Sequence, residues 1–266
     1  MLKKGIIDFH THAFPDAIAP KAISALEQGC GEKAHLDGTV AGLLKSMDAT
    51  GIEKAVIANI ATKPAQFEPI MKWSNQIRSE RIIPFASVHP DDLQRLENIS
   101  RITQAGFKGI KLHPYYQNFL IDEPRMYEMY ARIEELGLIC LVHTGFDIAF
   151  ERIKRADPAR IAKIGTDFPN LKFISTHLGA WEDWDDTKRL LLGKPIYIEI
   201  SLSLEFLNTE KAKEMLSLHP PEYLLFGSDS PWGDQKNALE MLGNLGFDEK
   251  FYELILRNNA LKLLGQ

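Results

Sequence analysis

Eight short runs rich in Ile, Val, Leu and Phe, each bounded by glycine or proline, recur along the 266-residue chain, at 5–12, 54–60, 82–89, 107–113, 138–145, 172–179, 196–202 and 224–230. Apolarity this continuous over so few residues suits strands buried on both faces, as in a parallel sheet covered by helices. Amphipathic segments lie between them, at 40–50, 64–78, 91–104, 123–136, 158–168, 187–192, 209–218 and 235–245, and two more helical stretches, 251–255 and 259–264, follow the last strand. Eight strand and helix units in about 250 residues match a closed α/β (β/α)8 TIM barrel. No Pro/Gly/Ser linker or composition break divides the chain, so residues 1–266 are expected to form one domain. Asp157-Pro158 and Pro90-Asp91-Asp92 carry the signals of helix starts. The rival fold, an open doubly wound sheet, would need a glycine-rich phosphate loop after the first strand, where this chain reads His10-Thr11-His12-Ala13-Phe14.

Several function classes are set aside by composition. The net charge of -5 comes from 36 acids and 31 bases with no polybasic run, which gives no support to nucleic-acid binding. Clean apolar runs such as 138–142 fall far short of the roughly 18 residues a membrane helix needs, so no membrane partner is expected. The N-terminal Met-Leu-Lys-Lys-Gly leads directly into a run holding Asp8 and two histidines, unlike a signal peptide. With only Cys30 and Cys140, a disulfide framework is excluded and a reducing cytoplasmic location is expected. The partner implied is a small-molecule substrate; whether the chain forms a homo-oligomer is left open.

In a barrel, chemistry belongs at the C-terminal ends of strands. His10 and His12 end the first run, and period-two alternation puts both on one side, with Asp8 in phase behind them. His113 ends the fourth run, His143 lies in Leu-Val-His-Thr-Gly at the end of the fifth, His177 in Thr-His-Leu-Gly at the end of the sixth, and Asp229 in Gly-Ser-Asp-Ser-Pro at the end of the eighth. Five of eight histidines and an aspartate sorted in this way point to a divalent metal site, since burying such groups unpaired would cost several kcal/mol each. Asp8 is a candidate for orienting a ligand imidazole, or for a buried ion pair. His89 falls near the rim and His35 in a segment that could form a lid. His219, entering the eighth strand from the other face, reads as structural. Tyr115, Tyr116, Phe146, Trp181, Trp184 and Trp232 follow strand ends and are candidates to wall a pocket, whereas Trp73 reads as core.

These motifs, in this order, resemble the amidohydrolase superfamily, and within it the amidohydrolase-2 branch of TIM-barrel metal-dependent hydrolases and decarboxylases. The resemblance spans essentially the whole chain. It implies that His10, His12, His143 and Asp229 bind a catalytic metal, most often zinc, and that His177 assists catalysis or, in binuclear relatives, binds a second ion. Lys111 in Lys-Leu-His-Pro is similar to the position where dihydroorotase-like members carry a bridging carbamylated lysine; an ordinary lysine there would bind a substrate carboxylate. One ion is favoured over two. Substrate contacts are expected from Lys111, His113, Tyr115, Trp181 and Trp232. The activity implied is hydrolysis of a small amide, ester or lactone by metal-activated water, with Asp229 as proton shuttle and His177 as the second catalytic residue. Decarboxylation of an unsaturated or aromatic acid is the enzymatic alternative, and a barrel that only binds metal and ligand is the non-enzymatic one. Related nucleases and phosphoesterases are disfavoured by Lys111-Leu112-His113-Pro114 and by Ser230-Pro231 where they carry other residues.

Overall fold

Eight parallel strands follow one another in chain order: β1 (Ile6–Thr11), β2 (Ile52–Ala58), β3 (Ile82–Phe85), β4 (Gly109–Leu112), β5 (Ile139–Val142), β6 (Lys172–Ser175), β7 (Tyr197–Glu199) and β8 (Leu224–Leu225). The structure is a computed structural model and describes residues 5–266; the reading made on Met1 to Lys4 lies outside them. Continuous ladders join β1 to β3 and β4 to β8. Two seams close the circle. At one, the Ala86 N–H donates to Gly109 O (3.2 Å) and the Lys111 N–H to Ala86 O (2.8 Å). At the other, the Phe9 N–H donates to Phe226 O and the Asp229 N–H to His10 O, both at 2.8 Å, beside a parallel bridge between Thr11 and Ser230. The expected barrel is the one observed.

Inside it, Ile7, Phe9, Val56, Phe85, Leu141 and Leu225 form one apolar cluster with Ala260 and Leu263 of the last helix, Asn259–Leu264. The opposite strand faces pack outward: Ile110, Leu112, Cys140 and Val142 meet Met126, Met129 and Ile133 of helix Pro124–Glu135. Each such side chain contributes about 1.5 to 3 kcal/mol by leaving water. No helix among the described residues is long and apolar enough to cross a membrane.

Every strand but β2 is shorter than its apolar run, and β2 is shifted two residues toward the N-terminus. Sequence patterning carries six of them through their terminal polar residue, but the ladders stop before His113, His143, His177 and Asp229. His177, Leu178 and Asp229 have φ of 57°, 55° and 61°, left-handed values that a strand cannot hold. Helix ends moved by a few residues for local reasons. The 91–104 segment begins at Arg95, because the Asp92 carboxylate accepts the Gln94 N–H (2.8 Å) in a turn, while Asp157 caps Pro158–Asp167 as expected. The 251–255 and 259–264 stretches are joined through Leu254–Asn258, a π-helical turn. Two helices absent from the sequence reading are present: Ala19–Cys30 and the single turn Ser203–Phe206.

His219 is structural as expected: it is buried, and its Nε2–H donates to Ile196 O (3.0 Å) while Nδ1 has no partner. Burial lowers its pKa from 6.5 to about 4. Between these values the unfolded chain binds the extra proton, so stability is intact above pH 6.5 and falls as pH drops toward 4. Urea unfolding should show this contribution reaching on the order of 1 kcal/mol near pH 5.5, and a His219→Gln variant should lack it. A variant with the same acid sensitivity as the native protein would contradict the assignment.

Candidate active site

One irregularity in β1 sets the site. Asp8 pairs with Ala55 and Thr11 with Ile57, so three steps on β1 oppose two on β2. This extra residue breaks the alternation on which Asp8 was expected to stand behind the His10 imidazole. Asp8 instead accepts from the Ser228 N–H (3.0 Å), the Ser228 hydroxyl (2.6 Å) and Gln235 Nε2 (2.8 Å), which ties the β8 end to β1. Its only link to His10 is the backbone N–H (3.3 Å).

The imidazole partner is Glu199 on β7, which sequence reasoning missed. The His10 Nδ1–H donates to Glu199 Oε2 (2.9 Å), and Ser201 Oγ donates to the same oxygen (2.9 Å). Burial pushes Glu199 up to about 8, opposed by the Ser201 hydrogen bonds. The available signal was a lone acid between Ile198 and Ile200 in an otherwise apolar strand. Gly227 makes room for it, since a Cβ there would collide with Glu199 Oε1 and crowd the His10 side chain.

His12 is fixed in the same way, its Nδ1–H donating to Ala58 O (2.8 Å). With both Nδ1 atoms protonated, His10 Nε2 and His12 Nε2 present lone pairs to each other at 3.2 Å. Asp229 Oδ1 lies 3.3 Å from the first and 3.0 Å from the second, buried and without a hydrogen-bond partner. Burial pushes the Asp229 carboxyl up, but His12, His177 and Lys111 outweigh it and hold it below the usual range. Three acceptor atoms converge here with no proton of their own between them, and the one amine set against them, Lys111 at His10 Nε2, would be displaced by a divalent cation, so the residues fit a metal. Beside them, Lys111 Nζ donates to His10 Nε2 (3.0 Å), and burial lowers this amine to about 8 against the pull of Asp229 and Glu199.

His143 stands on the far side of the floor. Its Nε2–H donates to Phe146 O (2.9 Å), which leaves Nδ1 as an acceptor 3.1 Å from His177 Nε2. His177 Nδ1–H donates in turn to Ser201 O (3.2 Å), and burial with the neighbouring His143 lowers its pKa to about 3. Ligand atoms of His10, His12 and Asp229 lie within 4.8 Å of one another; His143 groups in that sense with His113 and Asp147, and reaches the first set through His177.

Above this floor opens a cavity of about 530 Å3, within the range of small-molecule sites. Lys111, His113, Trp181 and Trp232 line it as expected. Tyr115 does not: its single hydroxyl proton is shared between Ile153 O (2.7 Å) and Gly145 O (3.0 Å), bracing the loop after β5, and Tyr116 lines the cavity in its place. Phe146 and His35 also line it, as does Trp73, which packs against the core as expected and reaches the cavity as well. Trp184 instead donates to His177 O (3.0 Å), and His89 accepts the Asp91 N–H (3.1 Å) outside the lining. The unexpected helix Ala19–Cys30 forms the roof, with Ile18, Ala22, Leu26 and Cys30 toward the cavity. Only Ala19 of that helix is buried against protein, so its apolar side chains serve the ligand space rather than the core.

The family model described as Amidohydrolase matches residues 7–266. The chain belongs to the amidohydrolase family. Family members are enzymes that use divalent metals, and the donor set above is where this amidohydrolase would hold one. It is similar to a dihydroorotase of Vibrio campbellii, 22% identical over 176 residues; the match covers 64% of this chain and about half, 48%, of that protein. Among solved structures, an uncharacterized TIM-barrel protein of Bordetella bronchiseptica superposes with a TM-score of 0.77 at 20% identity, covering 98% of this chain and 99% of the other. A 5-carboxyvanillate decarboxylase of Novosphingobium aromaticivorans, complexed with manganese and 4-hydroxy-3-methoxy-5-nitrobenzoic acid, gives 0.73 at 14% identity over 99% and 96%. A probable 2-pyrone-4,6-dicarboxylic acid hydrolase of Acinetobacter baumannii gives 0.69 at 16% over 98% and 100%.

Removing the Glu199 carboxylate should release the His10 ring. Glu199→Ala is expected to weaken metal binding about 10- to 100-fold, the usual cost of losing a group that orients a ligand histidine. Competition with a chromophoric chelator measures it, and Gly227→Ala should act in the same direction. Unchanged affinity in both variants would show that Glu199 does not orient the ligand.

Proposed function

We propose that this amidohydrolase is a metal-dependent hydrolase of small amides, esters or lactones, with one divalent cation, zinc, held by His10, His12, His143 and Asp229. The observation that carries this reading is the buried, unpartnered Asp229 Oδ1 between two imidazole lone pairs. A cation bound there supplies Lewis acidity and lowers the pKa of water toward 7. Asp229, ionised at neutral pH, accepts the proton released as water attacks the carbonyl and returns it to the leaving group. His177 is neutral with its Nδ1–H committed to Ser201, so its Nε2 acts first as an acceptor that orients the attacking water. The phenyl and indole rings of Phe146, Trp181 and Trp232 exclude bulk water from the carbonyl.

Hydrolysis is favoured over decarboxylation by the position of Lys111, the cation at the catalytic floor. Its amine lies 3.0 Å from the ligand atom His10 Nε2, on the floor where the cation would sit, and no arginine among the described residues lines the cavity to take a leaving carboxylate.

Elemental analysis of the purified protein should find one equivalent of divalent metal, and a screen that separates acid release from CO2 release should find the former. Metal-dependent CO2 release without hydrolysis would overturn the reaction assigned; two equivalents with a carboxylated Lys111 would overturn the stoichiometry. Asp229→Asn keeps the size of the side chain and loses the base, so kcat should fall on the order of 100-fold or more while the thermal midpoint is retained. His177→Asn should lose activity in parallel. Near-normal kcat with intact metal in Asp229→Asn would remove the shuttle from this residue.

A further inference from the structure

Asp147 lies in the loop after β5, lines the cavity, and takes no part in the mechanism above. Its Oδ1 accepts the Ala149 N–H (2.8 Å) and its Oδ2 the His113 Nε2–H (3.3 Å), with His143 Nε2 at 3.7 Å. The His113 and His143 rings stack with centroids 4.2 Å apart and planes inclined by 13°. Since His143 Nε2 carries the proton given to Phe146 O, the rings turn N–H edges toward Asp147, not lone pairs. The group therefore satisfies an anion and does not hold a second cation. A carboxylate has about four acceptor positions, and the N–H groups of Ala149 and His113 fill two.

The surroundings say what fills the rest. Tyr116, Phe146, Ile148 and Trp181 give this part of the cavity its apolar walls. No arginine is among the described residues that line it; of its two lysines, Lys33 is paired with Glu27 (2.8 Å) and Lys111 lies on the floor, 3.0 Å from the ligand atom His10 Nε2. Against them stand four acids, Glu32, Asp147, Glu205 and Asp229. A carboxylate facing an apolar cavity costs free energy unless a donor arrives, and it repels another carboxylate.

We infer that Asp147 is a specificity-determining residue that accepts a hydrogen bond from a hydroxyl or amino group on an apolar, aromatic-sized carbonyl substrate, and that the site rejects substrates bearing a carboxylate on that side. The carbonyl part of this description rests on the hydrolase reading; the donor preference does not. It separates this cavity from one built for an aromatic acid or a dicarboxylate.

The test uses the metal-loaded protein and aryl ketones that are not hydrolysed, so it is independent of turnover. Quenching of the cavity tryptophans reports binding of 2-, 3- and 4-hydroxyacetophenone, their O-methyl ethers, unsubstituted acetophenone and the matching carboxybenzoyl compounds. A hydrogen bond to a charged acceptor corresponds to about a 10-fold preference or more. At least one hydroxy isomer should bind that much more tightly than both its ether and acetophenone, and the carboxylates should bind most weakly. Asp147→Ala should bring the hydroxy preference to within about 3-fold and leave the ether's affinity unchanged. Equal binding of hydroxy and methoxy compounds by the native protein would overturn the inference, as would a preference that survives in the variant. Absence of hydrolysis in the activity screen, with the hydroxy preference present, would overturn the reaction assigned and leave Asp147's role standing.

Discussion

Mutual repulsion among the lone pairs of His10, His12 and Asp229 is the constraint around which the C-terminal rim of this barrel is organised. Three acceptors held about 3 Å apart would rotate away from one another if their other edges were free. Each is therefore anchored from behind. Glu199 takes the far edge of His10, the Ala58 carbonyl takes that of His12, and Asp229 is held by its own backbone through the Asp229 N–H to His10 O bond. The anchors have anchors: Ser201 donates to Glu199, and Gly227 leaves the space that Glu199 occupies. A cation relieves the repulsion that this scaffold preserves, which is how rigid framing becomes affinity.

The same rim divides its labour between charge and shape. On the floor, burial keeps the imidazoles neutral and therefore able to serve as ligands or acceptors: His10 lies well below its ordinary pKa, and His177 is held near 3. Above the floor, aromatic walls and the roof helix Ala19–Cys30 enclose the reacting space without contributing to the barrel's own core. Stability comes from elsewhere, from the interior layer around Phe9, Phe85 and Leu141 and from the outer helices. Substitutions at the rim should thus change chemistry more than folding, the separation that lets one barrel support many reactions.

Close approach of loops is the other condition of the site. Gly145, with φ of 87°, lets the chain after β5 pass against the backbone of Trp181, where a Cβ would collide with the Trp181 N–H. Their parallel bridge joins the loops that carry His143 and His177. Tyr115 secures the same loop from below by bonding two of its carbonyls. The histidine pair at 3.1 Å is therefore set by loop packing as well as by strand order.

Much of this was legible in the sequence. Eight apolar runs separated by amphipathic segments determine a closed parallel barrel, because strands buried on both faces leave a period and a length that few other folds share. Polar residues ending those runs, His10, His12, His143, His177 and Asp229, marked the rim, since a chain does not place so many ionisable groups at strand ends without a use for them. Three features were decided only in three dimensions. The extra residue in β1 turned Asp8 away from the His10 ring, and such an irregularity arises from pairing with β2, which a linear alternation does not contain. Glu199 met His10 across 189 positions of sequence, in a strand that bears no motif. The helix Ala19–Cys30 hides its apolar side chains in a ligand cavity, so its role follows from the empty space beside it. Local periodicity records which face of an element avoids water; only the closed barrel decides whether that face meets protein, a metal site or a substrate.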